Sequence, residues 1–94
     1  MTNLDRLIAV LENARDTRNY CYVEVTIPGQ DVTEMIFNHK SSIDNKIAYY
    51  VATYNDDCVH RRCSDIRIVR AGGMMGLDMH DCTEEVFDVF TKEG

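Results

Sequence analysis

The chain has 94 residues, 45% of them hydrophobic and 28% charged, with a formal net charge of -6. That length predicts a single globular domain, residues 1–94, with a modest core and no room for a second. No apolar run approaches the roughly 18 residues of a membrane helix. The opening Met1-Thr2-Asn3-Leu4-Asp5 lacks a basic segment followed by an apolar one, so a cytoplasmic protein with no membrane partner is expected.

Leu4, Leu7, Ile8, Leu11 and Ala14 recur at helical spacing behind Thr2 or Asn3 as N-cap, which predicts an amphipathic first helix. Tyr20 to Ile27 then alternates. Cys21, Val23, Val25 and Ile27 share one face, expected to meet the helix, and Tyr20, Tyr22, Glu24 and Thr26 share the other. Pro28-Gly29 predicts a tight turn, with proline presetting the first central residue and glycine accepting the positive φ of the second. Val32 to Phe37 returns as the second strand of a hairpin, with Met35 and Phe37 favoured as its inward residues over Ile36.

Ser41 or Ser42 is placed to cap a second helix whose apolar stripe is Ile43, Ile47, Tyr50, Val51 and Tyr54, ended by Asn55-Asp56-Asp57. Asp65 to Arg70 reads as a third strand stopped by Gly72-Gly73. A last helix is predicted from Asp81 or Thr83, where Asp81 and Glu84 have capping-box spacing, presenting Val86, Phe87 and Phe90. The expected fold class is therefore α+β in the order α-β-β-α-β-α: a small three-stranded sheet with helices packed mainly on one face and the other open.

Four cysteines, Cys21, Cys58, Cys63 and Cys82, are expected to be reduced and mostly to serve as small buried side chains. Cys58-x-His60-x-x-Cys63 followed by His80-x-Cys82 supplies zinc-type donors, but the spacing is irregular and Arg61 and Arg62 oppose a cation. No metal site is therefore assigned, and no cofactor. The same arginines would favour a thiolate, yet no residue is placed to act as a base, so no cysteine nucleophile is assigned. Gly72-Gly73-Met74-Met75-Gly76 resembles a phosphate loop only in its glycines. Asp78 and Asp81 follow where a lysine is wanted, and a connector is the better reading. Asp56-Asp57 and Glu84-Glu85 have ordinary explanations at helix ends, so no catalytic residue is assigned and the chain is read as a non-enzyme.

Charge is segregated. Cys58 to Arg70 holds Arg61, Arg62, Arg67 and Arg70 against Asp65, whereas Leu77 to the end holds Asp78, Asp81, Glu84, Glu85, Asp88 and Glu93 against Lys92. Tyr20 and Tyr22 on the outward strand face, with Arg67 nearby, are candidates for partner contact. The acidic net charge argues against direct nucleic-acid binding there.

Asn45-Lys46-Ile47-Ala48-Tyr49-Tyr50-Val51-Ala52-Thr53-Tyr54-Asn55-Asp56-Asp57, continuing to Asp65-Ile66-Arg67-Ile68-Val69, resembles small accessory proteins encoded by phages and prophages of Gram-positive bacteria. These share a lysine, a Tyr-Tyr helix, an acidic turn and an Ile-x-Ile-Val strand. The resemblance implies a phage-encoded factor acting in the host cytoplasm on host defence machinery, as anti-CRISPR proteins do, and it transfers no catalytic residue. Physically, an acidic patch on a rigid scaffold can occupy a cationic nucleic-acid groove on another protein. The candidate partner-binding residues are Asp56, Asp57, Asp78, Asp81, Glu84, Glu85 and Asp88, with Tyr20 and Tyr22. The expected partner is a nucleic-acid-binding host defence effector. Two alternatives stand beside it: a binder of a nucleotide signal that acts as an oligomer such as a homodimer, and a zinc-supported protein-interaction domain.

Overall fold

The computed structural model describes residues 1–76 and the backbone of the strand Cys82–Asp88. The order is α1 (Asn3–Thr17), β1 (Tyr20–Thr26), β2 (Thr33–His39), a 3-10 turn (Lys40–Ser42), α2 (Ile43–Thr53), β3 (Ile68–Met74) and β4 (Cys82–Asp88). The class is α+β, and the first five elements follow the expected α-β-β-α-β order. All strands pair antiparallel in one sheet of order β2-β1-β3-β4. Among the described residues no helix is long and apolar enough to cross a membrane.

α1 starts where a reciprocal cap is available: the Asp5 N–H donates to Thr2 Oγ1 at 3.0 Å and the Thr2 N–H to Asp5 Oδ2 at 3.2 Å. Its buried stripe is Leu4, Leu7, Leu11 and Ala14. This stripe meets Cys21, Val23 and Val25 of β1 with Ile68 and Ala71 of β3, and Ile43, Tyr50 and Tyr54 close the core from the α2 side. Arg15 ties the helices together from outside, reaching Asp44 of α2 at 2.6 Å and Asp16 at 2.9 Å. The turn behaves as the sequence predicts, with Gly29 at φ 76° and the Gln30 N–H on Ile27 O at 3.1 Å.

Four expectations are corrected. Ile36, not Met35 or Phe37, is the inward residue of β2: it pairs with Val23 and packs on the core, while Phe37 pairs with Tyr22 on the opposite face and stays 39% exposed. Val51 is likewise off the buried stripe of α2, 45% exposed. Gly72 and Gly73 do not stop β3 but lie inside it, and Met74 at its end is fully buried. At Gly73 the end of α1 lies close against the sheet, since a Cβ there would lie 2.9 Å from Arg18 Cγ and 3.1 Å from Ala14 Cβ. Finally, Cys82–Asp88 is a fourth strand rather than a last helix, paired with β3 through Arg70–Asp88, Ala71–Phe87 and Gly72–Val86. Asp81 and Phe90 lie outside the described residues.

Candidate functional site

Of the acidic candidates, Asp56 and Asp57 are the two whose side chains lie among the described residues. Asp78 and Asp81 lie outside the described residues. Glu84, Glu85 and Asp88 belong to the strand Cys82–Asp88 and not to a helix. Asp56 and Asp57 are both exposed, in the loop after α2. The second sheet face is not bare either. Tyr22 is 1% exposed, in a central strand between Phe37 and Gly72, and so offers no contact surface, while Tyr20 is half-buried with its ring edge-on to His39. Glu24 on the same face accepts from the Thr33 hydroxyl and pairs with Arg70 at 3.5 Å.

The loop after α2 is built around one side chain. Asn55 Oδ1 accepts from the Asp57 N–H at 2.9 Å and the Val59 N–H at 3.0 Å, and the Cys58 N–H returns to Asn55 O at 2.9 Å. Cys58 follows the turn at φ 64°, a left-handed position usually filled by glycine, and sends its thiol into the core with no exposure. Burial, helped by the neighbouring Asp57 charge, pushes that thiol up to about 12. Ile68 N–H donates to Cys58 O at 3.0 Å, fastening the turn to β3. Among the described residues no group of three or more His, Cys, Asp or Glu side chains could hold a metal ion, and Cys21, Cys58 and Cys63 are free thiols.

Beyond Cys58 the chain turns back over the end of α2. The Arg61 N–H donates to Thr53 O at 2.9 Å, satisfying a helix C-terminal carbonyl, and the Arg62 N–H donates to His60 Nδ1 at 3.1 Å. The result is an open depression of about 490 Å³ lined by Tyr49, Ala52, Thr53, His60, Arg61 and Arg62. Arg61 and Arg62 are exposed, and neither makes an ion pair among the described residues. Tyr49, 46% exposed, heads a chain of edge-on rings running through Tyr50 and Tyr54 to His60, and Lys46 Nζ sits 4.6 Å from its centroid.

Two exposed guanidinium groups, without ion-pair partners among the described residues, line this depression beside an exposed phenol ring and an imidazole, a donor set chemically suited to a planar anion or a phosphate. The backbone bonds at Arg61 and Arg62 fix where those side chains leave the loop. Sequence reading singled out the arginines as a basic segment and left Tyr49 unplaced. The missing signal was helical spacing, which puts Tyr49, Ala52 and Thr53 on one face at the end of α2. No protein-family model, curated protein or solved structure matches this chain.

Proposed function

We propose that this chain works by binding, with no covalent step, and that its ligand is a phosphate-bearing small molecule of the nucleotide class held in the depression between α2 and the Arg61–Arg62 loop. One observation carries this reading: the two exposed guanidinium groups without ion-pair partners among the described residues, set beside the partly exposed ring of Tyr49. Phosphate would engage the arginines and the base would stack on the phenol. A thermal-shift panel of nucleoside mono-, di- and triphosphates and cyclic nucleotides tests it. A ligand at 100 times its dissociation constant adds about 2.7 kcal/mol of stability. The shift should disappear in an Arg61→Ala/Arg62→Ala double variant, and a panel without any shift in the parent protein sinks the reading.

The second reading is the phage-encoded, anti-CRISPR-like inhibitor of a nucleic-acid-binding host defence effector, acting in the host cytoplasm. It is favoured by Asp56 and Asp57, both exposed on a turn that Asn55 holds in one shape. Binding to such an effector should weaken steeply with added salt and with Asp56→Asn/Asp57→Asn. Salt-insensitive capture would remove it.

A further inference from the structure

The two edges of the sheet are unlike. β4 carries Glu84, Glu85 and Asp88 within seven residues, so two copies of it side by side would repel. β2 has few of the usual protections against pairing. It is seven residues long, contains no proline, has Glu34 as its single carboxylate, and pairs with β1 without a bulge from Tyr20–His39 to Thr26–Thr33. Apolar side chains are exposed along it, Phe37 at 39% and Val32 just before it at 58%.

The direction of its free backbone groups follows from two hydrogen bonds. The Lys40 N–H donates to Asn19 O at 2.8 Å, and the Thr26 N–H donates away from β2, to Arg67 O at 2.9 Å. Because bonded and non-bonded pairs alternate along an antiparallel ladder, Glu34, Ile36 and Asn38 are the β2 residues bonded to β1. Thr33, Met35, Phe37 and His39 therefore turn their N–H and C=O groups to the free edge.

We propose that this edge pairs antiparallel with β2 of a second copy of the chain, across a two-fold axis at Ile36. In that register every outward residue meets an outward residue: Met35 faces Phe37 of the other copy, and Thr33 faces His39. Ile36 meets Ile36 in a close non-bonded pair, and Glu34 meets Asn38, so no like charges are opposed. A methionine–phenylalanine pair on each side of the axis adds sulfur–ring contact. Sliding the copies by two residues, to centre on Phe37, would set Ile36 against Asn38 and Met35 against His39, wasting the apolar matches. The occupant is a second copy because the strand complements itself, and the interface closes on two chains.

Analytical ultracentrifugation over a concentration series, with amide hydrogen exchange on the same samples, tests this. The expected result is a monomer–dimer equilibrium in which the Met35, Phe37 and His39 amides gain protection as the dimer fills, while the Ile36 and Asn38 amides are protected throughout. Phe37→Lys, on an exposed position outside the core, should give a folded monomer with unchanged Ile36 protection. A parent protein that stays monomeric at every concentration, or a dimer whose Met35 and Phe37 amides exchange as fast as in the monomer, overturns the proposal. So does a Phe37→Lys variant that dimerises as well as the parent.

Discussion

The Arg62 N–H donates to His60 Nδ1 at 3.1 Å, so the imidazole ring, edge-on to Tyr54 with centroids 5.3 Å apart, is the post on which the arginine loop turns. In the neutral ring this leaves the proton on Nε2. His60→Ala removes the acceptor and frees the loop to wander. If a nucleotide binds in the depression, that variant should bind it about tenfold more weakly, the cost of about 1.4 kcal/mol that one lost hydrogen bond implies. Isothermal titration with the best ligand of the panel measures it, and unchanged affinity would mean the arginines are positioned without the ring.

Tyr50 is 1% exposed, and its hydroxyl has no hydrogen-bond partner among the described residues. Removing an unsatisfied buried hydroxyl costs nothing in bonding, so Tyr50→Phe should leave stability within about 1 kcal/mol of the parent or raise it. Tyr50→Ala should cost about 3–5 kcal/mol as the ring leaves a cavity. Urea denaturation of both variants separates the two effects, and a loss above 2 kcal/mol in Tyr50→Phe, an estimate beyond a single unmade bond, would show a partner for the hydroxyl.

Gly73 leaves no room for a side chain under α1. Gly73→Ala should destabilise by about 1–3 kcal/mol, the usual range for overpacking. Part of the strain can be relieved where the clash is with the Arg18 stem, but the Ala14 Cβ at 3.1 Å and Cα at 3.4 Å belong to the helix body. A Gly73→Ala/Arg18→Ala double variant should therefore recover only part of the loss.

Of the described thiols, Cys21 and Cys58 are buried and Cys63 is half-exposed. At pH 8, iodoacetamide should modify Cys63 and spare the other two until the chain is unfolded. Peptide mass spectrometry reads this directly. Modification of Cys58 at the rate of Cys63 would contradict the turn geometry that sends its thiol inward.

Those buried thiols also set an alkaline limit. Burial pushes Cys21 up to about 11, Cys58 up to about 12 and the Tyr54 hydroxyl up to about 12. Each folded group holds its proton after the unfolded one has lost it. The unfolded state therefore binds fewer protons, and stability falls as pH rises above the ordinary thiol value of 9.0. Each such group contributes a slope of up to about 1.4 kcal/mol per pH unit. The melting temperature should decline from pH 9 towards 11, and Cys58→Ala, whatever it costs at neutral pH, should decline less steeply.

Much of the fold is legible where one face of an element is buried. The Leu4-Leu7-Leu11-Ala14 stripe, the alternation of β1 and the Pro28-Gly29 turn each carry their own signal, and the structure follows them. Where neighbours decide, the signal fails. β2 has hydrophobic residues at Met35, Ile36 and Phe37 in succession, so only its register with β1 selects Ile36. Thr83-Glu84-Glu85 looks like a helix start, but pairing with β3 makes it strand, a choice set far away in sequence. Gly73 reads as a stop because the helix that needs it small lies more than fifty residues earlier, at Ala14. Tyr49 and the arginine pair belong to different elements, and only the return of the loop over Thr53 brings them to one depression.

The strand order β2-β1-β3-β4 puts β1 and β3 at the centre of the sheet, and they are joined through the hairpin, α2 and the long loop. The first hairpin and α2 can form locally within microseconds, but neither has a finished core until Ile68 and Ala71 arrive. Closing that distant pairing is the entropically costly event, so the folding rate should be governed by it rather than by helix formation. During synthesis the emerging chain would remain incomplete until β3 had left the ribosome.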